Sequence, residues 1–263
     1  MAHPSDPEQR SPEQPQPTHV RPPGLEFAMG VALFGVVVMV FFLIQTSVFI
    51  RGVLRHSPDL SKDGFSIGLL NDPRLNERMA DLVMNGDLVA EVAIWSGVIC
   101  SLLILLAVRL WKRGPWSRFL GLCWPNWKQV LLWLGVFLML GLVIEGLAHW
   151  VPAFHTDFMA KVIGSTTHLI GLILGVGIIA PVFEELLLRG LLFGSLRHIL
   201  DEHSAVALTA GVFALMHMQY DPAIMLLILP MGVVLGYARS RSGSILVPIL
   251  LHILNNLITV FYP

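Results

Sequence analysis

Long apolar segments recur along the chain and constrain its fold more than any other feature of the sequence. The first, residues 27–50, contains no Asp, Glu, Lys or Arg. Further segments of this kind cover residues 92–108, 129–144, 162–183, 204–220, 222–238 and 244–262. Because a helix needs about 20 mostly apolar residues to cross a bilayer, we predict an all-α, polytopic bundle of about seven transmembrane helices, with six to eight as the accepted range.

Composition supports a membrane protein and argues against other classes. The chain is 55% hydrophobic and only 13% charged, whereas about a quarter of the residues of an ordinary soluble domain are charged. With a formal net charge of −1 and no basic stripe, the chain is not expected to bind nucleic acid. Its two cysteines, Cys100 and Cys123, form neither a disulfide framework nor a paired-thiol motif.

The distribution of polar residues predicts three regions. Residues 1–24 are rich in proline and polar residues, which is typical of a disordered tail. Residues 25–163 are expected to form an N-terminal membrane region with three helices and an extramembrane loop at 51–88. Residues 164–263 are expected to form a second membrane region of about four helices.

The fourth apolar segment is the least regular of the seven. Pro181 removes a helical hydrogen bond, and Gly171, Gly175 and Gly177 lie in the turns before it. Such breaks are tolerated where a cavity or a neighbouring helix satisfies the backbone, but small residues also allow membrane helices to pack closely. We favour close packing, with the helix continuing to about Ser195.

Basic residues near the predicted helix ends indicate the orientation of the chain. The segment between the second and third helices has no acidic residue and contains Lys112, Arg113, Arg118 and Lys128. Arg239 and Arg241, in the loop expected after the sixth helix, fall on the same side, whereas the 51–88 loop mixes basic and acidic residues. Since cytoplasmic loops carry the excess of Lys and Arg, we predict a cytoplasmic N-terminus.

Ionisable residues within the apolar segments are the first candidates for function, since each costs roughly 2.5–3.5 kcal/mol to insert. Glu184, Glu185 and Arg189 lie together in the fourth segment. Glu185 and Arg189 are four residues apart, so they share a helix face and can neutralise each other. Glu184 is rotated by about 100° from Glu185, so it must face a cavity, a metal or a residue of another helix.

Two later segments carry polar residues of a complementary kind. His217 lies in the fifth segment, and His252 and Asn256 share one face of the seventh. A single histidine in an apolar helix is more often a satisfied core residue, and a His/Asn pair can be a hydrogen bond between helices. Two imidazoles, a carboxamide and a spare carboxylate from three helices can also converge as a hydrolytic site.

Three motifs in this order resemble the CPBP family, the CAAX proteases and bacteriocin-processing enzymes also called the Abi family. The family pattern is Glu-Glu-x-x-x-Arg, then Phe-x-x-x-His, then His-x-x-x-Asn or Asp. The chain contains Glu184-Glu185-Leu-Leu-Leu-Arg189, Phe213-Ala-Leu-Met-His217 and His252-Ile-Leu-Asn255-Asn256. The resemblance covers about residues 165–263 and implies that 164–263 is the catalytic core of an intramembrane protease.

The resemblance also implies a role for each motif residue. Glu184 corresponds to the glutamate that activates water for attack on a peptide carbonyl, with Glu185 and Arg189 as its orienting and electrostatic support. The groups that hold the water or a metal and stabilise the oxyanion correspond to His217, His252 and Asn256.

The residues leave the cofactor open. Glu184, His217 and His252 would form a catalytic zinc set with one position free for water, whereas a metal-free site in which Glu184 alone activates water uses the same residues. The expected partners are membrane lipid and a protein or peptide substrate, and the sequence indicates no oligomeric state. From the resemblance and the compact size, we expect a bacterial plasma membrane.

Other interpretations of these residues compete with the protease. The chain can instead be a non-catalytic membrane scaffold or bacteriocin-immunity protein, or a proton-coupled transporter that uses the buried carboxylates as a relay. A second polar pair, Glu145 and His149, lies four residues apart at the end of the third segment. This pair can bind a metal, but polar residues cost little at the membrane edge, so we favour a simple surface pair.

Overall fold

All regular secondary structure in the described part of the chain is helical, as the sequence predicts. The computed structural model describes residues 21–61, 67–112 and 114–262, so most of the predicted disordered tail lies outside the described residues. The helices are α1 (Pro23–His56), α2 (Pro58–Ser61), α3 (Pro73–Leu82), α4 (Gly86–Trp111), α5 (Trp116–Leu120), α6 (Trp127–Trp150), α7 (Phe158–Gly164), α8 (Leu169–Leu196), α9 (Glu202–Leu215), α10 (Pro222–Ser242) and α11 (Leu246–Phe261). Two 3₁₀ turns cover Ile67–Asn71 and Pro152–Phe154.

Seven of these helices correspond to the seven predicted membrane segments. By length and composition, α1, α4, α6, α8 and α10 can each cross a bilayer. Helices α9 and α11 are shorter but also apolar. The prediction of an all-α polytopic bundle is therefore confirmed.

Local sequence signals determine where several helices begin. The Asn85 side chain accepts a hydrogen bond from the Leu88 N–H at the start of α4 (3.0 Å), and Asp201 accepts one from the Ser204 N–H at the start of α9 (2.9 Å). Such caps satisfy backbone donors that have no partner in the first turn. Pro23 is the first residue of α1, a position where the missing N–H costs nothing.

Helix α8 lies at the centre of the bundle and contributes to two hydrophobic clusters. Leu188 and Phe193 pack with residues of α9, α10 and α11. Phe183 and Leu187 pack with residues of α1 and α4. Because every residue from 186 to 192 is buried, α8 is enclosed by protein over the turns that follow its acidic pair.

Glycine allows α4 and α8 to approach each other closely. A Cβ atom on Gly175 of α8 would lie 2.8 Å from the Ala90 carbonyl oxygen of α4. One on Gly97 of α4 would lie 2.6 Å from Ile179 Cγ2 of α8. A larger residue at either position would push the helices apart, so the predicted packing role is confirmed for Gly175.

Two π-helical segments, Ile173–Ile179 and Leu186–Leu192, interrupt α8 on either side of its acidic pair. At the end of the first, the Ala180 N–H bonds to the Gly175 carbonyl five residues back. Pro181 has no N–H and its ring crowds the preceding turn, so a wider turn relieves this crowding. Turns of this kind recur at functional sites.

The structure differs from the prediction at the fourth and fifth segments. Residues 165–168 separate α7 from α8, so 162–183 is not one continuous helix. Helix α9 ends at Leu215 rather than at residue 220, because the chain tightens there and the His217 N–H bonds to the Ala214 carbonyl three residues back (3.1 Å). His217 therefore lies in the connection between α9 and α10, and the prediction that a helix carries it is wrong.

The start of α4 stabilises the break between α7 and α8. Asp87 Oδ1 accepts hydrogen bonds from the backbone N–H groups of Thr167 (3.1 Å) and His168 (3.0 Å). The Gly86 N–H donates to the Ser165 hydroxyl (3.0 Å). These bonds replace those that a continuous helix would have made within itself.

Candidate active site

A buried ion pair in α8 forms the base of the candidate site. Arg189 Nη1 donates to Glu185 Oε1 at 2.8 Å, and both side chains are 0% exposed. The predicted pairing of these two residues on one helix face is confirmed. Separating the two charges would leave each one buried without a counter-charge, which is strongly unfavourable. The bond to Arg189 therefore holds the Glu185 carboxylate in place.

Arg189 also joins α8 to α10. Its Nη2 donates to the Gly232 carbonyl (2.9 Å), and its own carbonyl accepts from Arg239 Nε (3.2 Å). The expectation that Arg239 lies in a cytoplasmic loop is wrong, because α10 continues to Ser242 and Arg239 is only 8% exposed. Sequence gives no signal for this burial, since an arginine at a helix end more often faces water.

His252 of α11 connects the ion pair to Glu184. Its Nδ1 lies 2.9 Å from Glu185 Oε1, and because an ionised carboxylate only accepts, we assign the proton to Nδ1. Its Nε2 lies 3.8 Å from Glu184 Oε2. This distance is too long for a hydrogen bond, but it allows both atoms to bond to the same water molecule.

Glu184 has the more open environment of the two adjacent carboxylates. Its side chain is 17% exposed, compared with 0% for Glu185. Its Oε2 atom is nevertheless buried and accepts no hydrogen bond from any residue in the described ranges. Glu185 Oε2 is likewise buried without a partner among the described residues, but its side chain is fully enclosed. Because buried polar atoms are nearly always bonded, the Glu184 oxygen is the more accessible candidate to contact water or a substrate.

His217 approaches the cluster from the connection between α9 and α10. Its Nδ1 lies 2.8 Å from the Phe213 carbonyl, which makes Nδ1 the donor and leaves Nε2 free. The Phe213 ring contacts both imidazoles edge-on, with centroid distances of 4.8 Å to His217 and 5.3 Å to His252. The Arg189 guanidinium lies over the same ring at 4.6 Å. Phe213 therefore contacts both histidines and the cation of the ion pair.

Asn256 contacts the backbone of α8 above the acidic pair. Its Nδ2 donates to the Val176 carbonyl at 2.9 Å. In the five-residue spacing of this π segment, that carbonyl would bond to the nitrogen of Pro181, which has no hydrogen. Asn256 thus supplies the donor that the proline lacks, while its oxyanion role stays a prediction from the resemblance.

Tyr220 is a residue of the site that the motifs do not identify. Its ring is nearly parallel to that of His217, with centroids 6.3 Å apart. It lies in the connection between α9 and α10, where burial and the Glu184 carboxylate raise the pKa of Tyr220 to about 12. In the sequence, Tyr220 is marked only by its position three residues after the motif histidine, near the end of an apolar segment. A tyrosine at such a position is usually interpreted as a membrane-interface residue.

The described residues do not gather into a metal site. In the ranges 21–61, 67–112 and 114–262, no group of three or more His, Cys, Asp or Glu side chains is arranged to hold an ion. Glu184 and His252 are neighbours, and the Phe213 ring contacts both His252 and His217. Glu184, His217 and His252 are thus not grouped as a metal site in the described residues, and zinc binding stays a prediction from the sequence.

The alternative polar pair lies apart from this cluster. Glu145 and His149 are on α6, and both are exposed on the outer surface of the bundle. His149 contacts Trp150 edge-on at 5.3 Å. The arrangement fits the favoured interpretation of a surface pair.

Comparisons with known proteins agree with the motifs. Residues 166–258 match the family model described as Type II CAAX prenyl endopeptidase Rce1-like. An Escherichia coli protein described as "Uncharacterized 24.3 kDa protein" is 31% identical over 140 residues, which cover 51% of this chain and 61% of that protein. No solved structure matches the chain. The family match includes every motif residue from Glu184 to Asn256.

Proposed function

Residues 166–258 carry a type II CAAX prenyl endopeptidase Rce1-like domain, consistent with the CPBP family of intramembrane proteases, and on this premise we propose that the protein is an intramembrane endopeptidase. It hydrolyses peptide bonds of membrane-associated proteins or peptides. One observation carries the proposal: a buried Glu184 oxygen, without a bonding partner among the described residues, lies 3.8 Å from an imidazole nitrogen.

Glu184 acts as the general base in this proposal. Its carboxylate takes a proton from water while the water oxygen forms a bond to the peptide carbonyl carbon, and the carbonyl electron pair moves onto oxygen. When this tetrahedral intermediate collapses, the C–N bond breaks and the protonated Glu184 returns the proton to the leaving amine. A positioned acid or base of this kind contributes about 10²- to 10⁴-fold to the rate.

His252 orients the water. Its Nδ1–H donates to Glu185 at 2.9 Å, and Glu185 is in turn held by Arg189 at 2.8 Å. The imidazole is therefore fixed in both tautomer and direction, with Nε2 available to accept a hydrogen bond from water. A carboxylate that fixes a histidine in this way is common in hydrolytic sites.

No step of this proposed mechanism passes through a zinc ion. Zinc dependence is a separate hypothesis with its own test. It would be supported if a chelator abolished cleavage, zinc alone restored it, and elemental analysis found one zinc ion per chain.

The surroundings of the site indicate the class of substrate. The cluster lies between α8, α9, α10 and α11 in a multi-pass membrane protein, so a substrate must reach it from the membrane or its surface. The family model is named for prenylated CAAX substrates, and for this chain we propose the wider class of membrane-associated peptides. We further propose a bacterial plasma membrane with the N-terminus in the cytoplasm.

The test compares new protein N-termini in membranes from cells that express the wild type, Glu184→Gln or Glu145→Gln at equal levels. We expect a set of termini that is present with the wild type and with Glu145→Gln and absent with Glu184→Gln. The Glu145 variant is the matched control, since it makes the same chemical change on the outer surface of the bundle.

Identical terminus profiles for all three chains, with a natively folded Glu184→Gln variant, would overturn the proposal. Substrate flux in proteoliposomes would then identify a transporter. A phenotype that Glu184→Gln leaves intact would identify a scaffold or immunity protein.

A further inference from the structure

Tyr220 is held in the candidate site by three contacts, none of which involves its hydroxyl. Its N–H donates to the His217 carbonyl at 3.0 Å, so the chain turns tightly between the two residues. One ring neighbour is His217, nearly parallel at 17° with centroids 6.3 Å apart. The other is Phe158 of α7, which packs edge-on at 5.1 Å. The direction of the phenol is therefore set by backbone and packing.

The Tyr220 hydroxyl is a donor without a hydrogen-bond partner among the described residues, on a ring that lies against His217. The Glu184 carboxylate is near enough for its charge to act on the phenol. A phenol keeps its proton at neutral pH, so the group can donate a hydrogen bond but does not compete with Glu184 for the proton of water.

The other strong donors of the cluster are bonded to protein groups or enclosed by them. Arg189 bonds to Glu185 and to the Gly232 carbonyl; its Nε has no partner among the described residues, but the side chain is 0% exposed. Asn256 directs an amide hydrogen to the Val176 carbonyl. Amide hydrolysis places a negative charge on the former carbonyl oxygen, and a pre-positioned donor at that oxygen is among the largest single contributions to catalysis.

We propose that Tyr220 is a further catalytic residue, whose hydroxyl donates a hydrogen bond to the scissile carbonyl oxygen as it becomes the tetrahedral oxyanion. This proposal rests on the proposed endopeptidase function. As the water oxygen bonds to carbon, the carbonyl electron pair moves to the oxygen that Tyr220 contacts and the water proton moves to Glu184. On collapse, the carbonyl reforms, the C–N bond breaks, and the amine leaves with the Glu184 proton. Tyr220 keeps its proton throughout.

The experiment measures kcat and KM for Tyr220→Phe in proteoliposomes, with a fluorogenic peptide that spans a cleavage site found with the wild type. We expect kcat to fall about 10²- to 10³-fold, as when one oxyanion donor is removed from other hydrolases. We expect KM to change by less than about twofold, because this bond strengthens in the transition state. Phenylalanine keeps both ring contacts, so the melting temperature should be unchanged.

Tyr237→Phe is the matched control. The Tyr237 hydroxyl lies 2.6 Å from His203 Nδ1, so this variant also removes a phenol oxygen, but one that bonds outside the cluster. It should keep the wild-type kcat. A loss of kcat only in Tyr220→Phe supports the oxyanion role.

A Tyr220→Phe chain with wild-type kcat, or with a change in KM alone, overturns the proposal for Tyr220 provided that Glu184→Gln is inactive in the same assay. If Glu184→Gln is as active as the wild type, the endopeptidase proposal itself fails. Should Tyr220→Phe not fold, a fluorinated tyrosine at position 220 keeps the ring and changes the strength of the donor. A changed kcat then supports the role, and an unchanged kcat overturns it.

Discussion

Two pairs of ionisable side chains in this molecule have the same spacing and opposite surroundings. Glu185 and Arg189 on α8 are bonded at 2.8 Å and fully buried. Glu145 and His149 on α6 are also four residues apart, but both lie on the outer surface. The helices differ in the same way, since 39% of the apolar window of α8 is buried and only 6% of that of α6.

The comparison shows that spacing determines which residues share a helix face, while the burial of that face determines what they can do. On α8, each charge needs a partner, because an unpaired ion enclosed by protein is costly. That need ties Glu185 to Arg189 and His252, whereas Glu184 is the more exposed carboxylate and the one that we propose reacts. On α6, the pair can contact water or lipid headgroups and needs no other residue.

The largest expected effect concerns the reacting carboxylate. Glu184→Gln keeps the size of the side chain but cannot accept a proton, so we expect cleavage to fall by about 10²- to 10⁴-fold. Cleavage rate and thermal melting in detergent check this together. An equal loss of cleavage in Glu145→Gln would contradict the functional difference between the buried α8 residues and the exposed pair on α6.

Next in size is the loss of the buried cation. Arg189→Leu leaves Glu185 without its counter-charge, and we expect a loss of about 3–5 kcal/mol in the free energy of unfolding. Reversible unfolding in mixed micelles measures it. The double variant Glu185→Gln/Arg189→Leu removes both charges and should regain part of the stability. Purely additive losses in the double variant would show that the two charges are not coupled.

A smaller effect is expected where Asn256 supports the π segment. Asn256→Ala leaves the Val176 carbonyl without its 2.9 Å donor, which should cost about 1–3 kcal/mol and slow cleavage by loosening the turn before Glu184. Asn255→Ala, which removes only a long 3.4 Å bond to Asn256 Oδ1, is the control from the same helix. Equal stability of the two variants would contradict the bracing role of Asn256.

The smallest effect is expected on α6. Glu145→Gln and His149→Gln change an exposed pair, so we expect shifts within about 0.5 kcal/mol in the free energy of unfolding and unchanged cleavage. The same micelle unfolding and cleavage assays apply. A loss of cleavage in either variant would mean that the second polar pair takes part in function.

Sequence could predict the bundle because a bilayer leaves the backbone few alternatives to the helix. The seven apolar segments each correspond to a helix in the structure. The pairing of Glu185 with Arg189 also followed from sequence, since it depends only on spacing within one helix. The catalytic roles of the motif residues stay predictions until activity is measured.

Other features depend on contacts between distant parts of the chain and could not be predicted. The end of α9 at Leu215 places His217 in a turn, although the apolar segment continues to residue 220. The π segments arise where Pro181 meets the close packing of α8. Arg239 and Tyr220 lie near the ends of apolar segments, and only the folded chain brings Arg239 to α8 and Tyr220 to Phe158 of α7.

The most direct test of the central claim is cleavage by purified chains in proteoliposomes, with a peptide that spans a terminus found in cells. Wild type, Glu184→Gln and Glu145→Gln are compared at equal folded amounts. We expect the wild type and Glu145→Gln to cut at the same bond and Glu184→Gln to leave the peptide intact. Cleavage by Glu184→Gln at the wild-type rate would contradict the central claim, because the base would then lie elsewhere in the molecule.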